Sequence, residues 1–315
     1  MTMKKVLMIA GISVLTMLVA IGGYGFYMYK NVQDTVSTMH FTLEREKSER
    51  RDIAADIGDP LSFLLVGIDS EESARGRADT LMVITVNPMD NSMKTVSIPR
   101  DTYTEIVGRG MNDKINHSYA FGGAEMTINT VENFLDIPID YFISVNMAGF
   151  KDIVDAIGGV TVNNAFSFTQ GRHQFEEGEI FLNGEEALAY SRMRMQDSRG
   201  DLGRNDRQRQ VVAGIIEEGA QISSITKVGD ILDTLGTNVK TNLEFDKMMK
   251  ITQNYHSTRH NSETLEFSGQ GGGRKNGVWY LFVPEEERLH VSNTLRAHLG
   301  LDTNGESVVK ADDED

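Results

Sequence analysis

Short apolar runs that end on a glycine, a proline or an acid alternate along this chain with segments of helical period. Leu61 to Ser70, LSFLLVGIDS, is a compact apolar run that breaks into Gly67 and Asp69, the pattern of a buried strand ending in a loop. TLMVITVNP and MKTVSIP read as two further strands, and the MDNS between them has the turn chemistry of a hairpin. The second of these leads into VSIPRDTYTEI, Val96 to Ile106. Pro99 cannot donate a ladder hydrogen bond, so the chain must leave the sheet there and deliver Arg100 and Asp101 at the strand's C-terminal edge. In open α/β sheets that edge is where ligands bind. The polar loop EESARGRAD, residues 71–79, adds Arg77 and Asp79, so three strands are expected to bring Asp69, Arg77, Asp79, Arg100 and Asp101 towards one region.

Helical period follows. AEMTINTVENFLD sets Met126, Val131, Phe134 and Leu135 on one face, YFISVNM reads as a strand, GFKDIVDAIGG as a helix closed by a glycine pair, and VTVNN as another short strand. NGEEALAYSRMR begins with an Asn cap and early acids and is predicted to end as a helix at Arg192 and Arg194. DLGRNDRQRQVVAGIIEEGAQ, residues 201–221, is a helix whose first half is basic and whose second half is apolar. Amphipathic segments around ITKVGDILDTL and NLEFDKMMKITQNY, late strands TLEFSG and GVWYLFV, a last helix EEERLHVSNTLRAHLG and an acidic tail complete the pattern. The alternation predicts the α/β class, a three-layer α/β/α sandwich around a mixed central sheet.

The first residues follow a different rule. Val6 to Tyr29 is a stretch of 24 residues without a charge, long enough to cross a hydrocarbon core of about 30 Å as one N-terminal transmembrane helix. Lys4 and Lys5 precede it, only Lys30 follows closely, and Tyr24, Phe26, Tyr27 and Tyr29 stand where an interfacial aromatic belt belongs. The expected organisation is a cytoplasmic N-terminus (1–5), a span (6–29), a helical extracellular stalk with acids and bases at helical neighbour spacing (30–57), a catalytic domain (58–301) and an acidic tail (302–315) at the cell membrane.

Composition narrows the chemistry. The 315 residues, 40% hydrophobic and 24% charged, can bury a full core, and a net charge of -15 argues against a nucleic-acid partner. There is no cysteine, which excludes thiol catalysis and thiolate-bound metals, and the histidines lack ligand-like spacing. Any metal must use oxygen ligands. Arg192, Arg194, Arg199, Arg204, Arg207 and Arg209 fall within 18 residues, interleaved with Asp197, Asp201 and Asp206. Such a run can be a solvated mixed-charge face, but guanidinium is also the preferred fork for phosphate oxygens, and several converging would grip a pyrophosphate. Asp69 and Asp79 are then suited to Mg²⁺, with Mn²⁺ as a substitute, because Mg²⁺ is commonly held by one or two carboxylates plus substrate phosphates. No glycine-rich phosphate loop is present, so side chains would have to hold the diphosphate.

Through LLVGID, GRADTLMVITVNP, SIPRDT, DKINHSYAFGG, YFISVNMAGFKDIVDAIGGVTV, LNGEEALAYSRMR and GDLGRNDRQRQ, about Leu61 to Ala220, the chain resembles the LytR-CpsA-Psr proteins, most of all their wall teichoic acid ligases. The resemblance implies a membrane phosphotransferase that moves a glycopolymer from a polyprenyl pyrophosphate carrier to a sugar hydroxyl of peptidoglycan, with Mg²⁺ on the diphosphate. It implies metal-side carboxylates at Asp69 and Asp79, pyrophosphate contacts at Arg77, Arg100, Arg192, Arg194, Arg204 and Gln208, and catalytic roles for Arg100 and Asp101. Arg199 and Arg209 are expected to face solvent. Two other readings stay open at this point: a non-catalytic wall-polymer binding or regulatory protein, which would have no need of the two metal-type carboxylates, and a lipid-pyrophosphate phosphatase, which differs only in the acceptor.

Overall fold

The computed structural model describes residues 39–45, 47–70, 76–221, 234–267 and 271–303, together with Lys30, Gln33, Ser37 and Ile231. A six-stranded mixed sheet forms its centre, in the order β11-β6-β1-β2-β3-β12. Here β1 is Leu61–Ile68, β2 Ala78–Asn87, β3 Ser92–Ser97, β6 Tyr141–Asn146, β11 Val239–Thr241 and β12 Ser262–Leu265. β1 runs antiparallel to β2 and parallel to β6, β2 and β3 form the expected hairpin, and β12 lies parallel to β3. Four small hairpins stand outside this sheet. They pair β4 (Tyr103–Ile106) with β5 (Met111–Lys114), β7 (Val160–Asn164) with β10 (Gly178–Leu182), β8 (Phe168–Gln170) with β9 (His173–Phe175), and β13 (Gly271–Lys275) with β14 (Val278–Phe282).

Both faces of the sheet are apolar, so its strands read as near-continuous hydrophobic runs. Leu64, Val66, Leu81, Val83 and Val96 point to one side and pack on Ile128, Val131 and Leu135 of helix α1 (His117–Leu135) and on Val291 and Leu295 of α6 (Glu285–His298). Met82, Ile84, Val86 and Tyr141 point to the other side, against Val212 and Ile216 of α4 (Asp201–Ala220) and Met248 and Ile251 of α5 (Phe245–Tyr255). Each fully buried aliphatic side chain in these layers contributes about 1.5–3 kcal/mol of transfer free energy. α1 starts earlier than its apolar face suggests, and it breaks at Gly122 and Gly123 before the AEMTINTVENFL segment continues it. α2 (Met147–Ala156) is capped by the Asn146 side chain. α3 (Gly184–Arg192) opens with a full capping box between Asn183 and Glu186, as the NGEE sequence foretells.

The expected transmembrane span lies outside the described residues, as do most of ITKVGDILDTL and nearly all of the acidic tail. Among the described residues no helix is long and apolar enough to cross a membrane. The helical stalk expected over 30–57 holds only at its start: Lys30, Gln33, Ser37 and Met39 are helical, whereas the described residues from Phe41 to Ile57 form no helix and are fastened to the domain. The Phe41 amide donates to the Thr241 carbonyl at 2.7 Å, and Met39 is buried with Leu235 and Val239. Arg45 grips Glu132 through two bonds of 2.6 and 2.8 Å, Arg50 reaches Asp136 at 3.2 Å, and Arg51, itself buried, holds Asp140 through two bonds of 2.9 Å. The charge pattern that suggested helix neighbours thus serves contacts far along the chain.

Candidate active site

Three chain crossings meet at the edge of the sheet where β1 and β6 end and β2 begins. Asp69 follows β1, and its amide donates to the Arg77 carbonyl at 3.1 Å, which closes the loop between them. In the β1-β2 ladder Gly67 opposes Thr80 while Ile68 opposes Ala78, so Asp79 is the extra residue of a β-bulge. A bulge turns its side chain out of the regular pleat. Gly67 eases the close approach beside it: a Cβ there would lie 3.0 Å from the Thr80 Cβ, a tight contact.

After β3 the chain departs at Pro99 as its sequence requires. The Thr102 amide and hydroxyl both donate to the Pro99 carbonyl, and the Asn116 amide donates to the Arg100 carbonyl at 3.2 Å, so the Arg100–Asp101 loop is tied down from both sides. Arg100 Nη1 donates to Asp79 Oδ2 at 2.7 Å. Asp101 lies 2.7 Å from Lys114 Nζ and 3.9 Å from Arg100 Nε.

The other arginines come from α3 and α4. Arg192 ends α3 and Arg194 follows it, with the buried Met193 between them in extended backbone, so the two guanidinium side chains point outward on either side of an anchored thioether. Arg192 Nη2 donates to Asp69 Oδ1 at 3.2 Å. Arg194 and Arg204 share Asp201, at 3.1 and 3.4 Å from its Oδ1. Arg204 is buried on the first turns of α4. Burial pushes its pKa below the usual arginine value, the Asp201 and Asp79 carboxylates pull it back, and the Arg100 and Arg194 cations push it down again. That set of influences places all four groups in one electrostatic neighbourhood. Arg204 Nε and Asp79 Oδ1 are enclosed and have no hydrogen-bond partner among the described residues. An enclosed donor and an enclosed acceptor in the same site mark a place that a further group completes.

The structure pairs Arg100 with Asp79, joins Arg194 and Arg204 through Asp201, pairs Arg192 with Asp69, and sets Gln208 one turn beyond Arg204 on the same face of α4. Arg77 is exposed, and only its backbone is joined to the group. Arg199 is half-exposed, as expected, although it pairs with Asp206. Arg209 corrects the expectation of a solvent-facing residue: its side chain is only 12% exposed, held between Asp206 and Glu266. Arg207, one of the six clustered arginines, is buried with Asp197 at 2.8 Å and donates to the Met193 carbonyl at 2.8 Å, a role that its spacing does not reveal. Burial works against the ionised Asp197, but Arg207 and the Arg199 amide outweigh it and hold its carboxyl below the usual range. Lys114 was also missed. Its position in the DKINHSYAFGG block was a signal of likeness, but nothing in that block says which loop it meets.

Among the described residues no group of three or more acids or histidines is placed to hold a metal. The residues that remain fit a phosphate-bridged cation rather than a protein cage, since Asp79 keeps a carboxylate oxygen without a partner and Asp69 stands at the same edge.

A model of the LytR_cpsA_psr family matches residues 26–297. Over 304 residues the chain is 57% identical to the polyisoprenyl-teichoic acid–peptidoglycan teichoic acid transferase TagU of Halalkalibacterium halodurans, covering 95% of this chain and 100% of the relative. The crystal structure of B. subtilis TagU superposes with a TM-score of 0.63 at 50% identity, over 76% of this chain and 97% of that one. TagT bound to LIIa-WTA superposes with a TM-score of 0.73 at 33% identity, over 83% of this chain and 100% of that one. The family match spans most of the chain, including every segment that builds the site, and this chain belongs to the LytR-CpsA-Psr family.

Proposed function

We propose that this chain is a membrane-anchored transferase that moves an anionic glycopolymer, wall teichoic acid or a similar polymer, from a polyprenyl pyrophosphate carrier to a sugar hydroxyl of peptidoglycan. The names of its relatives support the transferase class. The observation that carries the reading is the gathering of arginines from three chain segments near the sheet edge: Arg100 pairs with Asp79, Arg194 and the buried Arg204 share Asp201, and one Asp79 carboxylate oxygen is enclosed without a partner among the described residues.

In the proposed reaction the acceptor oxygen forms a bond to the phosphorus that carries the polymer, and the bridging P–O bond of the diphosphate breaks. The carrier leaves as polyprenyl monophosphate, and the hydroxyl proton is lost to the surroundings of the site. Such transfers pass through a loose transition state, so they need positioning and charge neutralisation more than a strong base. Arg100, Arg194 and Arg204 would take the diphosphate oxygens, with Arg192, Gln208 and Arg77 at its rim. Asp69 and Asp79 would hold Mg²⁺ against the same oxygens, where the ion supplies further neutralisation. Asp101 lies 2.7 Å from Lys114 Nζ and 3.9 Å from Arg100 Nε, so its part is to orient Arg100.

On this reading the span at residues 6–29 anchors the enzyme beside its lipid carrier, with the domain outside the cell. Protease added to wall-stripped cells should digest the domain, and its survival would reverse the topology. The test of function is incubation of the protein with a lipid-linked polymer, Mg²⁺ and peptidoglycan fragments, followed by mass analysis. Polymer joined to glycan is the expected product; free polymer phosphate alone would make it a phosphatase.

A further inference from the structure

The β13-β14 hairpin carries no part of the site described above, yet β14 is joined to the catalytic loop. The Leu281 amide donates to the Asp101 carbonyl at 2.9 Å, and Thr102 and Leu281 form a bridge. In the hairpin register Gly271 opposes Phe282, Gly273 opposes Tyr280 and Lys275 opposes Val278. Residues that oppose one another across a ladder share a face, so Tyr280 and Phe282 are bordered by two glycines with no side chain to cover their rings. A Cβ on Gly273 would stand 3.1 Å from the Phe282 ring. Tyr103 of β4 completes the row, its ring centre 5.0 Å from that of Tyr280 and 5.5 Å from that of Phe282. Lys275 Nζ donates to the Tyr103 hydroxyl at 2.6 Å and lies 4.4 Å from the ring centre. Phe282 is 38% exposed and Val278 44%. The row ends at the chemistry, because Lys114 Nζ, 2.7 Å from the Asp101 carboxylate, is 5.9 Å from the centre of the Tyr280 ring.

We propose that Tyr103, Tyr280, Phe282 and Lys275 form the docking platform for the acceptor, a glycan chain of linked amino sugars, and present its hydroxyl beside Asp101. The proposal rests on the transferase reading. Arg100 reaches away from the loop to Asp79 and the arginines of α3 and α4, which draw in the donor diphosphate. Asp101, the next residue, faces Lys114 and the hairpin, so an acceptor arriving along the hairpin does not compete with the donor. The apolar C–H face of a pyranose ring suits the electron-rich face of an aromatic ring. Lys275 supplies the counter-charge for the peptide carboxylates that such a glycan bears. A partly exposed aromatic row beside a reaction centre is a surface suited to that kind of partner.

Steady-state transfer from a lipid-linked polymer to soluble, uncrosslinked peptidoglycan oligosaccharides tests this. Phe282→Ala and Tyr103→Ala should each raise the acceptor KM about tenfold, as the loss of one central aromatic contact does, with the donor KM unmoved. Phe282→Tyr should restore the acceptor KM. An acceptor KM within twofold of the wild type in both alanine variants overturns the proposal. If the wild type joins no polymer to glycan, the transferase reading fails instead, and calorimetric titration with the same oligosaccharides decides the platform. A tenfold loss of affinity in the variants supports it; equal affinity, or no binding by the wild type, overturns it. Co-sedimentation with anionic phospholipid vesicles is the remaining arm. Vesicle binding that is lost in Phe282→Ala while the acceptor KM stays unchanged would give this face to the bilayer.

Discussion

Arg207 stands among six arginines of one short segment, and the structure predicts that its removal acts on stability where its neighbours act on ligand binding. Its side chain and that of Asp197 are 4% and 2% exposed, and the pair lies beneath the loop that carries Arg194. In Arg207→Met the Asp197 carboxylate would keep only the Arg199 amide at 2.8 Å and the Arg199 guanidinium at 3.6 Å. Breaking a buried pair by removing one partner costs about 3–5 kcal/mol. Loss of the bond to the Met193 carbonyl adds about 1 kcal/mol. For a domain of this size 1 kcal/mol shifts Tm by roughly 2–4 °C, so a fall of about 8–24 °C is expected. The Asp197→Leu and Arg207→Met double variant should be more stable than Arg207→Met alone, since no charge is left unpaired. Circular dichroism melts and urea titrations of the two singles and the double complete the cycle. A loss under about 1 kcal/mol for Arg207→Met, or a double variant that loses the sum of the singles, would refute the argument.

Three further outcomes are expected. Arg100→Ala, Arg194→Ala and Arg204→Ala should each weaken binding of a prenyl pyrophosphate by roughly 10- to 150-fold, the worth of one charge-assisted hydrogen bond, with Arg→Lys restoring only part. Arg209→Ala should leave that binding unchanged, and equal small effects across the four would mean that the cluster is a solvated face. Asp79→Ala should abolish the rise in Tm that Mg²⁺ and a diphosphate give together, and should abolish metal-dependent transfer; normal transfer with Mg²⁺ would show that Asp79 holds no metal. His298, buried between the Thr85 hydroxyl at 2.7 Å and the Ser92 hydroxyl at 2.9 Å, has its pKa lowered by burial and then by Lys94. The unfolded chain therefore takes up this proton first, so stability is complete above the ordinary histidine pKa of about 6.5 and declines as pH falls below it. Urea midpoints between pH 8 and 5 should fall less steeply in His298→Gln than in the wild type, and parallel slopes would sink the assignment.

Much of the sheet and the meeting of Asp79 with Arg100 were legible, for a physical reason. Strands buried on both faces must be continuously apolar, and Pro99 must end the ladder, so the sequence marks where charged residues leave the sheet. The capped helix that ends at Arg192 was legible because caps are local. The bulge at Asp79 was not, since it depends on which residues of β2 oppose β1. Nor were the buried pairing of Arg207 or the shielding of Arg209, because i, i+3 and i+4 spacing says which charges are near one another but not which element covers them. The hairpin of β13 and β14 was visible only as one late strand, as a run of glycines carries no side-chain period.

The three arginines that fasten residues 41–57 to the domain set the length of its leash. With Met39 and the described residues between Phe41 and Ile57 held against the body, only about nine residues separate the fixed part from the proposed span, and even fully extended they would reach roughly 30 Å. On the proposed anchoring, the reacting groups would be confined to a thin shell above the bilayer, where a lipid-borne donor would be met at an effective concentration that a freely diffusing enzyme would not experience. The same confinement would cap how deep into the wall a transferase so anchored could deliver its cargo, with newly made glycan close to the membrane within reach and older, outer layers beyond it.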